Sequence, residues 1–232
     1  MFLKILEKIL TKNLKLALFD YDGTIVDSAI MIVEGAIAAF RMCGLPDPDP
    51  EKVRKNIGKP LAIALDVYMP PGYNVKPEQI SDAYRSWYAE QGRLGLQNEP
   101  LYPGMVDLIN ELKLNGWFVG IATNKSRIGL TNGLAKHNLS DKFDITLSTD
   151  ENIPKPNPAM AIRAMEELGV NKNSCVIIGD TINDIGLGVN AGITSVGVTW
   201  GYNDEKLLSS AGASYLVNNA SELSTLMKTI FV

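Results

Sequence analysis

The sequence predicts an α/β fold, namely a doubly wound parallel sheet with a Rossmann-like core and an inserted helical cap subdomain. Two observations carry this prediction. From about residue 101 onward, short apolar runs alternate with segments of helical periodicity, and polar residues follow the apolar runs. Residues 29–100 have helical periodicity without strand-like runs. With 232 residues, of which 46% are hydrophobic and 21% are charged, the chain can bury a sizeable core.

Residues 1–28 are predicted to form an N-terminal helix and the first core strand. Four apolar residues recur at helical spacing among lysines: Phe2, Ile5, Leu6 and Ile9. We expect this amphipathic helix to pack on the sheet edge, with docking on a membrane surface or a partner as the alternative. The lysines interrupt any signal-peptide core, and no apolar run approaches the length of a membrane span. The run from Leu16 to Phe19 predicts a buried strand.

Residues 29–100 are predicted to form the helical cap. Ala29 to Met42 has helical spacing, and a linker with alternating prolines at 46–50 cannot continue that helix. Two further helices are predicted, from Glu51 to Met69 and from Pro77 to Leu96. Pro70, Pro71 and Gly72 separate them.

Residues 101–232 are predicted to form the rest of the α/β core. The predicted helices are Val106 to Leu114, Ile128 to His137, Pro158 to Leu168 and Ile182 to Ala191. The predicted strands are Trp117 to Ala122, Asp144 to Leu147, Ser174 to Ile178 and Thr194 to Val198. Repeated alternation of this kind predicts a parallel sheet covered by helices on both faces.

Charge and cysteine content narrow the possible functions. A net charge of -4 argues against general nucleic-acid binding, since phosphate-backbone contacts need a basic surface. A small anionic substrate remains possible because local groups can meet its charge. Cys43 and Cys175 are predicted to be buried free thiols of a reducing compartment. We therefore expect a cytoplasmic protein, as a monomer or a homodimer.

Two carboxylates directly follow the first predicted strand. Asp20 and Asp22, with Gly23 and Thr24, would lie in a loop at the carboxyl end of that strand, where open α/β sheets bind ligands. One carboxylate can act as a covalent nucleophile, and the second can transfer protons without competing for the same atom. A simple turn that closes the strand is the alternative.

Further polar residues follow the other predicted strands. These are Thr123 in Thr-Asn-Lys, Lys155 in Lys-Pro-Asn-Pro, and the acidic pair Asp180 and Asp184 in Gly-Asp-Thr-Ile-Asn-Asp. Together with Asp20 and Asp22, their order and spacing closely resemble the haloacid dehalogenase-like hydrolase superfamily. Leu-Tyr-Pro-Gly-Met and Val-Thr-Trp-Gly-Tyr add a resemblance to its phosphoglycolate phosphatase group, and the helical insert matches a C1-type cap. Members that displace halide have tyrosine where this chain has Asp22, which disfavours dehalogenation.

The resemblance implies a magnesium-dependent phosphatase that acts on a small phosphorylated metabolite, with 2-phosphoglycolate as the first substrate to test. Mg²⁺ would be held by the Asp20 carboxylate, the Asp22 backbone carbonyl and the Asp180 carboxylate, and Asp184 would orient a metal-bound water. Asp20 would attack phosphorus to give an aspartyl-phosphate. Asp22 would act as the general acid and base.

The remaining implied site residues bind the phosphoryl group and the substrate. Thr123 offers a hydroxyl group and Lys155 a fixed positive charge, which complete the catalytic set. The backbone amide of Asn124 is a predicted donor to the phosphoryl oxygens, and Gly23 and Thr24 are predicted to bind the substrate. Lys59, in a cap loop with Arg54, Asn56 and Gly58, is the predicted contact for a substrate carboxylate. Gly58 itself is predicted only to close a helix.

Two alternative functions remain at this point. A phosphosugar mutase of the same superfamily would often have another residue at the position of Thr24 and would use basic cap residues. A phospho-aspartate signalling switch also uses Asp, Thr, Lys and Mg²⁺. However, a switch is not expected to carry an acid two residues after its phosphorylated aspartate, nor a helical cap. A long-lived phosphoenzyme without ester turnover would favour the switch.

Overall fold

The structure, a computed structural model, describes residues 14–231 and has one parallel sheet at its centre. The predicted N-terminal helix lies outside the described residues. The six strands are β1 (Lys15–Phe19), β2 (Trp117–Ala122), β3 (Ile145–Leu147), β4 (Cys175–Gly179), β5 (Thr194–Val198) and β6 (Tyr215–Val217). Their order in the sheet is β3-β2-β1-β4-β5-β6. The chain thus builds outward from β1 on one side and then on the other, which confirms the predicted doubly wound fold.

Ten α-helices accompany the sheet among the described residues. Four follow β1 and form the helical insert: α1 (Ala29–Met42), α2 (Pro50–Arg54), α3 (Leu61–Val67) and α4 (Pro77–Arg93). Six belong to the α/β part: α5 (Met105–Leu114), α6 (Arg127–Lys136), α7 (Ala159–Leu168), α8 (Ile182–Ala191), α9 (Glu205–Ser210) and α10 (Ala220–Met227). Within residues 14–231, no helix combines the length and apolar character needed to cross a membrane.

Alternate residues of the central strand face two separate apolar clusters. In β1, Ala17 and Phe19 join the cluster beneath α5 and α6, whereas Leu16 and Leu18 join the cluster beneath α7 and α8. This division follows from the strand geometry, since successive side chains point to opposite faces. Both faces are covered by helices, and all four side chains are fully buried.

The helical insert has an apolar cluster of its own. Phe40 of α1, Leu65 of α3 and Ile80 of α4 are buried together, and the ring of Tyr68 lies 6.4 Å from that of Phe40. This arrangement fits a separate cap subdomain. The exact division at 28/29 and 100/101 stays a prediction.

The sequence prediction was wrong at two places. The helix expected from Glu51 to Met69 is two helices, α2 and α3. Between them Gly58 has a positive φ of 91°, and Pro60 begins the next helix without an amide hydrogen to donate. In addition, α9, β6 and α10 were not predicted. The helix expected to reach Leu96 ends at Arg93, two residues before Gly95 at φ 69°.

Candidate active site

Asp20 lies at the carboxyl end of β1, the strand between β2 and β4. Its backbone amide donates to the Ile178 carbonyl at 2.9 Å, so strand pairing continues to this residue. The residue is 2% exposed, and its Oδ1 lies 2.8 Å from Nζ of Lys155. Burial raises the pKa of Asp20 to about 6, against the opposing effect of Lys155. The fold thus buries the Asp20 carboxylate at a position where its negative charge depends on neighbouring positive charge for stabilisation.

Asp20, Asp180 and Asp184 form a buried acidic cluster at this edge of the sheet. Each residue contributes one carboxylate oxygen to this cluster, and the three oxygens lie within 4.8 Å of one another. Burial raises the pKa of Asp180 well above its ordinary value, and the charges of Asp184 and Asp20 raise it further. Oxygen ligands of this kind are those that Mg²⁺ prefers, and a divalent cation would relieve the repulsion between the carboxylates. The cluster therefore fits the predicted magnesium ion.

Four neighbours fix the position of the Asp180 carboxylate. The Thr24 hydroxyl donates to its Oδ1 at 2.9 Å, and the Tyr202 amide donates to its Oδ2 at 2.9 Å. At Gly23, which has a φ of 84°, a Cβ atom would lie 2.3 Å from the same Oδ2. A Cβ atom at Gly201 would lie 2.2 Å from Cβ of Asp180. Gly23 and Thr24 thus support Asp180, and their contact with substrate stays a prediction.

Lys155 connects two members of the acidic cluster. Its Nζ lies 2.8 Å from Oδ1 of Asp20 and 2.6 Å from Oδ1 of Asp184. Burial opposes the charge of Lys155, but the two carboxylates outweigh it and raise the lysine pKa. The other oxygen of Asp184 accepts from the amide and hydroxyl of Thr181, at 3.0 and 2.6 Å, in a capping box at the start of α8. Lys155 is therefore a buried, fixed positive charge beside Asp20.

Thr123 and Asn124 follow β2 at the same edge of the sheet. Thr123 is buried, and its amide donates to the Leu147 carbonyl at 3.0 Å. The Asn124 side chain accepts from the Lys155 amide at 2.9 Å and donates to the Lys155 carbonyl at 3.2 Å. It also donates to the Gly58 carbonyl at 2.8 Å. The side chain thus joins three loops, which leaves the backbone amide for the predicted phosphoryl contact.

The Asp22 side chain is bound by two residues to which the sequence analysis gave no role. Nζ of Lys125 lies 3.0 Å from both carboxylate oxygens, and the Ser28 hydroxyl donates to Oδ1 at 2.7 Å. Ser28 also pairs with the Tyr202 hydroxyl at 3.0 Å. The polar run Thr123-Asn124-Lys125 was the available signal for Lys125. Nothing in the sequence alone linked Ser28 to Asp22.

Lys59 lies in the cap loop that contacts the core. The Gly58 carbonyl in this loop accepts from the side chains of Asn124 and Asn183, at 2.8 and 3.1 Å. Gly58 was predicted only to close a helix, so its contact with the core is a role that the sequence analysis missed. Lys59 itself is exposed, and its Nζ donates to Oδ1 of Asn56 at 2.7 Å. Its contact with substrate stays a prediction.

Comparisons with known proteins agree with this geometry. Residues 17–198 match the model of a family described as haloacid dehalogenase-like hydrolase. A probable phosphatase IndB of Dickeya dadantii is 32% identical over 211 residues, which cover 90% of this chain and 91% of that protein. A phosphoglycolate phosphatase of Vibrio parahaemolyticus is 28% identical over 221 residues, covering 91% and 95% of the two chains.

A solved structure supports the same relationship. The crystal structure of a predicted phosphatase from Clostridium acetobutylicum is 28% identical in sequence and superposes with a TM-score of 0.79, covering 93% of this chain and 99% of that one. The acidic cluster, the buried lysine and the sheet order thus occur in a chain that resembles these proteins over nearly its whole length. The chain belongs to the haloacid dehalogenase-like hydrolase family.

Proposed function

We propose that this protein is a Mg²⁺-dependent phosphatase that hydrolyses a small phosphate monoester through an aspartyl-phosphate on Asp20. The single observation that carries the proposal is the position of the Asp20 carboxylate, 2.8 Å from the Lys155 ammonium group and within the acidic cluster. The names of the relatives favour 2-phosphoglycolate as the first substrate. The free thiols of Cys43 and Cys175 favour the reducing cytoplasm as its location.

Asp20, Asp180 and Asp184, with the backbone carbonyl of Asp22, are the residues that would hold the metal. When bound, Mg²⁺ supplies positive charge that screens the phosphate from the anionic nucleophile. Lys155 adds a second positive charge, 2.8 Å from the Asp20 carboxylate, and the Thr123 hydroxyl and Asn124 amide offer donors to the phosphoryl oxygens. This set of charges addresses the main barrier, which is repulsion between two anions.

The proposed reaction has two displacements at phosphorus. In the first, the Asp20 carboxylate attacks, the bond from phosphorus to the ester oxygen breaks, and Asp22 gives its proton to the departing alkoxide. In the second, Asp22 takes a proton from water, which attacks the aspartyl-phosphate. Phosphate then leaves, and the Asp20 carboxylate is restored. Acid and base catalysis of this kind contributes about 10² to 10⁴-fold in rate.

Asp20→Asn tests the nucleophile. The variant keeps the shape of the side chain but loses the attacking oxyanion, so we expect phosphate release to fall by at least about 10³-fold with an unchanged circular dichroism spectrum. Acid quenching during turnover, followed by borohydride reduction and mass spectrometry, should place homoserine at position 20 in the wild-type chain.

Asp107→Asn is the matched control, because Asp107 is an exposed carboxylate in the first turn of α5. It should retain full activity. Turnover by Asp20→Asn close to the wild-type rate would contradict the nucleophile assignment. Transfer of phosphate within one sugar, without release, would instead indicate a mutase. A phosphoenzyme that persists for hours would indicate a signalling switch.

Lys59 is the proposed contact for the carboxylate of a small anionic substrate. Its loop lies against the core through Gly58, and its ammonium group is exposed. We expect Lys59→Ala to raise KM for 2-phosphoglycolate by about 10-fold, the size of one charge-assisted contact, and to leave p-nitrophenyl phosphate unchanged. Lys55→Ala, an exposed lysine four residues earlier, is the control. Equal effects on both substrates would remove Lys59 from this role.

A further inference from the structure

Lys125 is a largely buried lysine next to the candidate site, and the proposed reaction does not use it. Its side chain is 12% exposed, and its Nζ lies 3.0 Å from both carboxylate oxygens of Asp22. The same ammonium group lies over two aromatic rings, 5.6 Å from the centre of Tyr21 and 5.4 Å from that of Tyr88. Cation–π contacts of this kind stabilise a charge that has lost its water. Lys125 therefore has one position, fixed from several sides.

The Asp22 carboxyl group is held equally firmly. Besides Lys125, the Ser28 hydroxyl donates to it at 2.7 Å. Ser28 is the residue before α1, where serine ordinarily caps the helix with its hydroxyl group. Here that hydroxyl makes no capping bond and donates to Asp22 instead. Two donors thus determine the direction of the group that must move a proton.

Lys125 also contacts the cap, through the ring of Tyr88. Tyr88 belongs to α4, and its hydroxyl donates to Glu99, a carboxylate that is only 5% exposed. Burial opposes the charge of Lys125, but Asp22 and Glu99 outweigh it and raise the lysine pKa. Oε2 of Glu99 also lies 3.4 Å from Nζ of Lys136, so a second lysine besides Lys125 offsets the charge of Glu99. Asp22 has no second ion pair among the described residues, so Lys125 and the Ser28 hydroxyl together hold its position.

We propose that Lys125 is a positioning residue that holds the Asp22 carboxyl group at the place of proton transfer and connects it to the cap through the Tyr88 ring. This inference rests on the proposed acid and base role of Asp22. Without Lys125, only the Ser28 hydroxyl restrains Asp22, so its carboxyl group visits other staggered conformers and a smaller fraction of encounters has the proton in line with the departing oxygen.

Leaving-group dependence is the measurement that separates positioning from a structural role. An alkyl phosphate needs its leaving oxygen protonated, whereas p-nitrophenolate leaves almost unaided. We expect Lys125→Met, which keeps the chain length without the charge, to lower kcat/KM for 2-phosphoglycolate by about 100-fold. For p-nitrophenyl phosphate the loss should stay below about 5-fold. Asp22→Asn, measured beside it, should lose rate in the same selective pattern.

Two variants complete the experiment. Lys125→Arg keeps a cation that can pair with both carboxylate oxygens and lie on an aromatic ring, so it should recover at least 10-fold of the loss caused by Met, about 1.4 kcal/mol. Lys113→Met removes another ion-paired lysine, 2.8 Å from Asp144 and outside the site, and should keep wild-type kcat/KM on both substrates.

The outcomes distinguish the positioning role of Lys125 from the proposed function on which it rests. If Asp22→Asn is selective and Lys125→Met lowers both substrates equally or neither, the positioning role is overturned and the proposed function stands. If Asp22→Asn itself lowers both substrates equally, Asp22 is not the general acid, and the positioning role is overturned with it. A selective loss in both variants, recovered by arginine, supports the inference.

Discussion

The Thr24 hydroxyl supports the candidate metal site, because it donates a hydrogen bond to the Asp180 carboxylate. Its bond of 2.9 Å holds the Asp180 carboxylate in place, and Thr24 is fully buried. Groups that orient a metal ligand typically change metal affinity by about 10–100-fold when they are lost. The hydroxyl is thus expected to act on metal affinity rather than on the chemical step.

Thr24→Val tests this role, because valine keeps the shape and removes the hydroxyl. We expect the Mg²⁺ concentration for half-maximal phosphatase activity to rise by about 10–100-fold, with kcat at saturating Mg²⁺ within about 3-fold of wild type. Thr146→Val is the control, since the Thr146 hydroxyl pairs with Arg127. An unchanged Mg²⁺ requirement in Thr24→Val would show that the bond to Asp180 does not matter.

At the scale of single residues, the sequence predicted which residues lie together better than it predicted their side-chain partners. Asp20, Thr123 and Asp180 were recognisable because each follows an apolar run, and parallel strands bring their carboxyl ends to one edge. The pairing of Asn124 with Lys155 was not recognisable, because it joins loops 31 positions apart. Side-chain partners of that kind depend on how the loops pack, and no local pattern encodes them.

The loop between α2 and α3 is the element that brings the cap onto the core. Gly58 places its carbonyl between two asparagine side chains, and its own Cα lies against Thr181. A Cβ atom at this position would lie 2.8 Å from Cγ2 of Thr181. Both the positive φ of 91° and the absence of a side chain are therefore required for the contact.

Gly58→Ala should displace this loop from the core. We expect kcat/KM to fall by about 10-fold or more as the two asparagine bonds are lost, about 1–2 kcal/mol, and stability to fall by about 1–3 kcal/mol. Gly72→Ala is matched in backbone strain, with a φ of 86°, but a Cβ atom there meets no other atom within 4 Å. It should lose stability without losing kcat/KM, as measured by urea unfolding and initial rates. Equal kinetic losses in both variants would contradict a specific role of the Gly58 contact.

The longer elements were predicted from the sequence, whereas of the two three-residue strands Ile145–Leu147 was predicted and Tyr215–Val217 was not. The strand Trp117–Ala122 and the helix Ala29–Met42 carry enough periodic positions to be distinguished from loop. The strand Tyr215–Val217 has three residues at the edge of the sheet and one of them is buried, so its pattern carries little information. At residues 55–60 Gly58 was predicted to close a helix, but the predicted helix still ran to Met69 because apolar spacing continues across the break.

At the scale of the whole molecule, the candidate site lies where the strand order reverses. The chain leaves β1 for β2 and β3, then returns to β4 on the other side of β1. The loops after β1, β2 and β4 therefore diverge around one crevice, the default ligand site of such sheets. The cap contacts the core at this crevice through the Gly58 carbonyl and through the Tyr88 ring beside Lys125. The contacts between cap and core therefore lie beside the residues of the proposed catalytic site.

The acidic cluster also makes the stability of the molecule depend on the metal. Three buried carboxylates share one lysine among the described residues, so the metal-free fold carries repulsion that a bound cation removes. A ligand that binds only the folded state at 100 times its Kd contributes about 2.7 kcal/mol, or about 5–10 °C in Tm for a chain of this size. We expect Mg²⁺ to raise the Tm of the wild-type chain by that amount in differential scanning calorimetry.

Asp180→Asn separates this effect from general salt stabilisation. The variant removes one of the three charges and keeps an oxygen that can accept from Thr24 or Tyr202. Its metal-free Tm should therefore equal or exceed that of the wild type, because repulsion is lower, while the Mg²⁺-dependent rise should disappear. Asp107→Asn, with its charge change on the surface, should keep the full rise. A rise of the same size in Asp180→Asn, or none in the wild type, would mean that Mg²⁺ does not bind at this cluster.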